Sequence, residues 1–205
     1  MSRAPAFCAV ILAAGESTRM GRDKALLPWP PNGAGTFLAA TINRLQDFND
    51  VVIVVVGKNE SSLAPLIYAT GAALVRNAEW QRGQFSSLQV GLQEVLNRGR
   101  DAAMVTLVDR PPVARGTLQS LRDHFDEVLP LGKWAVIPEH NRKHGHPMLI
   151  DREMIEAFLK APSTATARDI KHKFESRIAY LEVNDPNVAL NVNTPEDYAA
   201  LCSAR

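Results

Sequence analysis

Two positive side chains, Arg19 and Lys24, stand close together in the stretch Ala13-Ala14-Gly15-Glu16-Ser17-Thr18-Arg19-Met20-Gly21-Arg22-Asp23-Lys24. The stretch directly follows the apolar run Ala9-Val10-Ile11-Leu12. The chemistry available to such a segment is the holding of phosphate. Glycine lets a backbone approach an anion and turn its N–H groups inward. A guanidinium forks onto phosphate oxygens, and an ammonium adds a compact charge. The order is not a Walker A, because the spacing differs and no Ser or Thr follows Lys24. It is not a dinucleotide fingerprint either, since G-x-G-x-x-G is absent. The competing reading is a plain surface connection. A second candidate is Asp109, which closes the apolar run Met104-Val105-Thr106-Leu107-Val108 and precedes Pro111 and Pro112, residues that stop a strand. A carboxylate at a strand end suits Mg²⁺, a hard cation, and equally suits a helix N-cap or a turn.

The third candidate is Asn191-Val192-Asn193-Thr194-Pro195-Glu196-Asp197-Tyr198. Part of it reads as structure: Thr194 as N-cap, Pro195 at N1 and Asp197 at the N3 position of a capping box. The amides of Asn191 and Asn193 suit either a metal or a turn. His140, His144 and His146 have a spacing that invites zinc, yet no cysteine or second cluster completes four ligands. Trp29, Trp80 and Trp134 read as core or rim residues rather than a stacking platform.

These residues must be positioned by an alternation of strands and helices. Phe7 to Leu12 reads as a strand, and Val51 to Val56, six apolar residues of which five are valine, as a strand buried on both faces. Ala72 to Val75, Ala102 to Val108, Trp134 to Ile137, Pro147 to Ile150 and Ile178 to Val183 read as further strands. Phe37 to Leu45, Ser61 to Ala69, Ser86 to Leu96, Leu118 to Phe125, Arg152 to Leu159 and Pro195 to Cys202 have helical patterning. The order implies an α/β fold with a mostly parallel central sheet. Ligands of such sheets bind beyond the carboxyl ends of the strands, where both the opening loop and Asp109 fall. Pro28 to Gly35 is irregular but too short for an interdomain linker, so the expectation is a single domain over residues 1–205.

The chain has 205 residues and a net charge of +1. That balance shows no basic field directed at nucleic acid or an anionic membrane. Hydrophobic residues make up 46% and charged residues 22%, as in a soluble globular protein. Met1 to Ala6 is too short and polar for a signal peptide, and no apolar run nears the roughly 18 residues of a membrane span. The expected compartment is the cytoplasm. Cys8 and Cys202, at opposite ends, read as small buried residues rather than as a disulfide or nucleophile.

Taken in order, the motifs resemble the MobA-like nucleotidyltransferases, which include molybdenum-cofactor cytidylyltransferases and guanylyltransferases. Leu12-Ala13-Ala14-Gly15-Glu16-Ser17-Thr18-Arg19-Met20-Gly21-x-x-Lys24 resembles the family signature, and Asn77 to Leu88 its second segment. Asp109-Arg110-Pro111 stands at the place of a Gly-Asp-x-Pro motif. Gly145-His146-Pro147 is similar to an element of the cytidylyl branch, and Asn191 to Tyr198 to a closing Asn-x-Asn-Thr-Pro. The resemblance implies a three-layer, Rossmann-like nucleotidyltransferase fold. It implies that Leu12 to Gly21, Lys24, Ser86, Ser87 and Asp109 bind the nucleotide, with Arg19, Lys24 and Asp109 catalytic. Asp109 and Asn193 would hold Mg²⁺ or Mn²⁺, and Arg110 and His146 would meet the acceptor. The implied reaction joins CMP from CTP to the phosphate of molybdopterin, with a molybdoenzyme or its chaperone as receiving partner. Ala13-Ala14 matches the CTP-using members, where GTP users carry Ala-Gly; a methyl at position 14 narrows the base pocket. Val108, Arg110 and Asn193 depart from the usual Gly, Gln and Asp, and Asn193 lowers the negative charge offered to the metal. Other acceptors, such as sugar or polyol phosphates, and a weakly active module that holds nucleotide or cofactor for delivery, are the alternative expectations.

Overall fold

The computed structural model describes residues 6–31 and 33–203. Met1 to Pro5, most of the lead-in judged too polar for a signal peptide, and Asn32 of the irregular Pro28 to Gly35 stretch lie outside the described residues. Among the described residues eight strands form one sheet: β1 (Phe7–Leu12), β2 (Val51–Val56), β3 (Ala73–Arg76), β4 (Ala102–Leu107), β5 (Ala135–His140), β6 (Lys143–His144), β7 (Met148–Asp151) and β8 (Ile178–Glu182). Seven α-helices accompany them: α1 (Phe37–Gln46), α2 (Glu60–Ala69), α3 (Gln84–Asn97), α4 (Arg115–Val128), α5 (Arg152–Leu159), α6 (Ala167–Lys173) and α7 (Pro195–Ser203).

The sheet runs β3-β2-β1-β4-β7-β5, and β5 also pairs with β6 and β8. Strands β3, β2, β1 and β4 are parallel neighbours, and β8 is parallel to β5. Strand β7 is antiparallel to both β4 and β5. The reversal follows from the short β5–β6 hairpin, whose turn residues Asn141 (φ 51°) and Arg142 (φ 63°) are both left-handed, the geometry that suits a two-residue hairpin.

The unbroken apolar runs of β1 and β2 arise because each strand is covered on both faces. Phe7, Ala9 and Ile11 face one core with Val52, Val54 and Val56, under Leu38 and Ile42 of α1, Leu63 and Ile67 of α2, and Leu118 and Leu121 of α4. Cys8, Val10 and Leu12 face the other with Ile53 and Val55, under Leu88 and Leu92 of α3 and Ile155 and Phe158 of α5. A three-layer sandwich results. Gly91 lets α3 lie close: a Cβ there would stand 2.6 Å from Val10 Cγ1. Cys8 is fully buried, and that burial pushes its thiol pKa up to about 12, which keeps it protonated and inert. Cys202 is free and partly buried on α7. Among the described residues no helix is long and apolar enough to cross a membrane.

Two elements differ from the expectation. Helix α6 was not anticipated, because it buries only Ile170 and so carries no apolar stripe. Its start is nonetheless fixed by a capping box, Thr166 with Asp169. Strand β6 is two residues long, below what periodicity reveals.

Candidate active site

The loop after β1 folds back under its own hydrogen bonds. Ser17 adopts a left-handed backbone (φ 53°) and its Oγ accepts from Lys24 N at 3.2 Å. Asp23 accepts from Ala25 N at 3.0 Å and from Asn59 Nδ2 at 2.7 Å, and the same Nδ2 donates to Ala13 O at 2.9 Å. This network turns Lys24 inward until the residue is 8% exposed, rare burial for a lysine, which needs partners to tolerate it. Its Nζ donates to Asn193 Oδ1 at 2.8 Å and lies 3.6 Å from Asp109 Oδ2. Arg19 Nη2 donates to the same Asn193 oxygen at 3.3 Å.

Asn193 reaches this place because Val192 N donates to Asp109 O at 2.8 Å, which ties the segment before α7 to the end of β4. The capping box read from the sequence is present: Asp197 N donates to Thr194 Oγ1, while the Asp197 carboxylate accepts from Asn193 N and Thr194 N. Those N–H donors hold the Asp197 carboxyl below its usual pKa. Arg19, Lys24, Asp109 and Asn193, scattered over the chain, thus converge at the carboxyl edge of the sheet.

A cavity of about 360 Å³ opens beside them, lined by Leu12, Ala14, Gly15, Glu16, Ser17, Thr18, Lys24, Ser87 and Asp109 together with Trp80, Gln81, Gly83, Gln84, Leu107 and Val108. At Gly15 the backbone is not left-handed, and an added Cβ would find no protein atom within 4 Å. Neither conformation nor a protein neighbour demands glycine there, so the open room is available to a ligand. Asp109 Oδ1 is buried with no hydrogen-bond partner, an arrangement that calls for a cation or a donor from outside the chain. Together with the Asn193 amide oxygen it forms a set of hard oxygen donors, which fits Mg²⁺ or Mn²⁺ completed by phosphate oxygens.

Several expected nucleotide contacts sit elsewhere. Ala13 lies in the core, and Met20 packs with Leu27, Trp29 and Phe37. Gly21 caps a short 3-10 turn at φ 71°. Ser86 is buried, donating to Gly83 O at 2.8 Å and accepting from Asn77 Nδ2 at 2.9 Å, so its hydroxyl shapes the loop rather than the cavity wall. Arg110 is also placed differently from the acceptor role expected of it. Its Nη1 donates to Val188 O and Leu190 O, and burial lowers its pKa. The histidines have separate partners: His140 Nδ1 meets Val183 O, His144 stacks on Tyr180 at 4.2 Å, and His146 Nδ1 meets Val105 O at 3.2 Å. Trp29 is buried against Phe37, Trp134 packs on Phe174, and Trp80 stands at the cavity rim.

Sequence reasoning missed the support shell. Asn59 follows β2 and Asn77 follows β3, and each spends its amide on holding a loop. The available signal was a polar residue just beyond a buried strand, at the edge where ligands bind.

His146 lines a second cavity of about 530 Å³ that shares Leu12, Gly83, Gln84 and Leu107 with the first. Burial, reinforced by the charge of Arg110, holds the imidazole pKa down to about 3. The ring is therefore neutral at pH 7. Since a carbonyl only accepts, Nδ1 carries the proton and Nε2 is left as an acceptor. Gly145 is required beside it, because a Cβ would stand 2.3 Å from Val188 O.

A loop that turns Lys24 and Arg19 toward a strand-end aspartate thus lies at the carboxyl edge of a three-layer α/β sheet. The chain belongs to the family of the MobA-like NTP transferase domain, whose model matches residues 9–178. It is 25% identical to the molybdenum cofactor cytidylyltransferase of Escherichia coli, over 92% of each chain. It is 28% identical to a probable molybdenum cofactor guanylyltransferase of Mycolicibacterium paratuberculosis, over 96% of this chain and 95% of the relative. Among solved structures, Rv0371c from Mycobacterium tuberculosis superposes with a TM-score of 0.78 at 26% identity, covering 97% of this chain and 98% of that one. A manganese complex of Rv0371c superposes at 0.71 with 24% identity, over 98% of this chain and all of that one.

Proposed function

We propose that the protein transfers CMP from CTP to the phosphate of molybdopterin, within one domain over residues 1–205, and releases pyrophosphate. The observation that carries the reading is the convergence of Lys24, Arg19, Asp109 and Asn193 on one cavity edge. An oxygen of the acceptor phosphate attacks the α-phosphorus and forms the new P–O–P link. The bond from that phosphorus to the bridging oxygen breaks, and pyrophosphate leaves with the electron pair. An attacking phosphate dianion has no proton to lose, so the protein's work is positioning and charge neutralisation. Lys24 and Arg19 bind the triphosphate oxygens, where cations stabilise the leaving charge.

Asp109 and Asn193 would hold Mg²⁺ or Mn²⁺. When bound, the ion neutralises triphosphate oxygens and fixes their orientation. Lys24 now engages both of those ligand residues. With its ammonium already at that edge, Lys24 is placed to meet phosphate as well.

The choice of CTP rests on Ala14. This residue lines the cavity and is only 8% exposed. Gly57 and Trp80 back it closely: a Cβ on Gly57 would stand 2.9 Å from both Ala14 O and the Trp80 side chain. The pocket beside Ala14 has little freedom to widen for a purine. Relatives of both the cytidylyl and guanylyl kinds match the chain, so this residue and not overall identity supports the nucleotide. Pyrophosphate release with Mg²⁺ and molybdopterin is expected to be at least about tenfold faster, or about 1.4 kcal/mol, with CTP than with GTP. Equal rates overturn the choice of nucleotide. Release that does not depend on molybdopterin overturns the acceptor.

A further inference from the structure

The second cavity contains cations that the nucleotide site does not use. Lys171 and Arg168, both on α6, line it with Arg82, His146 and a polar run from Ser163 to Thr166. Arg82 is paired with Glu79, and Arg110, just behind, is committed to two backbone carbonyls. His146 is neutral and cannot serve as a cation. Among the described residues neither Lys171 nor Arg168 forms an ion pair, and Lys171 is partly buried. Burial, with the charges of Arg110 and Arg168 nearby, lowers its ammonium pKa below the ordinary lysine value. A half-sunk ammonium among like charges, with no carboxylate on it, is unfavourable until an anion arrives.

The same cavity is also lined by the apolar side chains of Phe85, Leu88 and Met148. The cavity also shares four lining residues with the nucleotide cavity. The two cavities are therefore neighbours, with these four residues at their boundary.

We propose that Lys171, assisted by Arg168, is the specificity-determining anchor for the acceptor's phosphomonoester dianion, and that the acceptor's flat ring portion lies on Phe85, Leu88 and Met148. This deepens the reading above and rests on it. The acceptor is thus a phosphate monoester of a planar heterocycle. Lys171 presents the attacking phosphate to the shared boundary of the two cavities. His146 Nε2 accepts a hydrogen bond from a ring N–H or amino group, which a bare sugar phosphate lacks.

The test uses the full chain and 6-hydroxymethylpterin phosphate as probe, titrated by calorimetry without nucleotide. The Kd of Lys171→Ala should rise at least about tenfold over wild type. Lys171→Arg should recover part of that loss, and Arg168→Ala should lose less. CTP affinity with Mg²⁺ should stay within about twofold in all three, and the KM for molybdopterin should rise in Lys171→Ala. No probe binding to the wild type, an unchanged Kd in Lys171→Ala, or equal loss of CTP affinity overturns the inference. If Lys171→Ala does not fold, Lys171→Gln is judged by the same readouts. Probe binding through Lys171 without transfer to molybdopterin would instead count against the proposed reaction and leave the anion anchor standing.

Discussion

Asn193 Oδ1 accepts hydrogen bonds from both Lys24 and Arg19, and Asp109 Oδ1 is buried without a partner. Under the proposed function these are the two oxygens that would hold the divalent ion. One carries a full carboxylate charge, the other only an amide dipole. A second carboxylate at position 193 would strengthen the attraction for a divalent ion by about 2 kcal/mol, twice the Coulomb scale for unit charges about 4 Å apart in water. Asn193→Asp should therefore lower the Mg²⁺ concentration giving half-maximal pyrophosphate release by about thirtyfold. An unchanged or raised midpoint would mean that residue 193 serves Lys24 and Arg19 alone.

At the scale of the element, the entry to β7 has its own pH signature. An unfolded imidazole takes up its proton near 6.5, and His146 in the folded chain only near 3. Between those values the unfolded chain binds the extra proton, so stability falls as pH falls, by up to about 1.4 kcal/mol per pH unit. Urea denaturation at pH 7 and pH 5 should show this loss in the wild type and a smaller loss in His146→Gln. Identical losses would show that His146 is not held neutral. How much was legible beforehand follows from the same physics. Phe7–Leu12, Val51–Val56 and Arg152–Leu159 form as read, because burial on two faces or on one helical face leaves an unbroken apolar signal. Helix α6 left none, and so Lys171 had no assigned place in space. Arg19, Lys24, Asp109 and Asn193 could be singled out because each belongs to a polar segment that follows a buried strand or leads into a helix. The partners of Arg110 could not be read because they are backbone carbonyls 78 and 80 residues away, which no local pattern encodes. Nor could those of Ser86, whose hydroxyl accepts from Asn77 outside its helix.

At the scale of the whole molecule, the two cavities at the carboxyl edge of the sheet, which share Leu12 and Leu107, differ in charge: one sets Lys24 beside Asp109 and Glu16, and the other is lined by Arg82, Arg168 and Lys171 without a carboxylate. The parallel half of the sheet directs the loops after β1, β2, β3 and β4 to that edge. The reversed strand β7 brings His146 there from the other half. One edge thus holds two cavities that share four lining residues, and the proposed transfer between two phosphorylated molecules would use one for each. The most direct check is calorimetric titration of CTP with Mg²⁺ into the wild type and Lys24→Ala. Saturable one-to-one binding in the wild type, weakened at least about tenfold in the variant, is the expected result. No CTP binding by the wild type, or equal affinity in both proteins, would contradict the assignment of this cavity to a triphosphate.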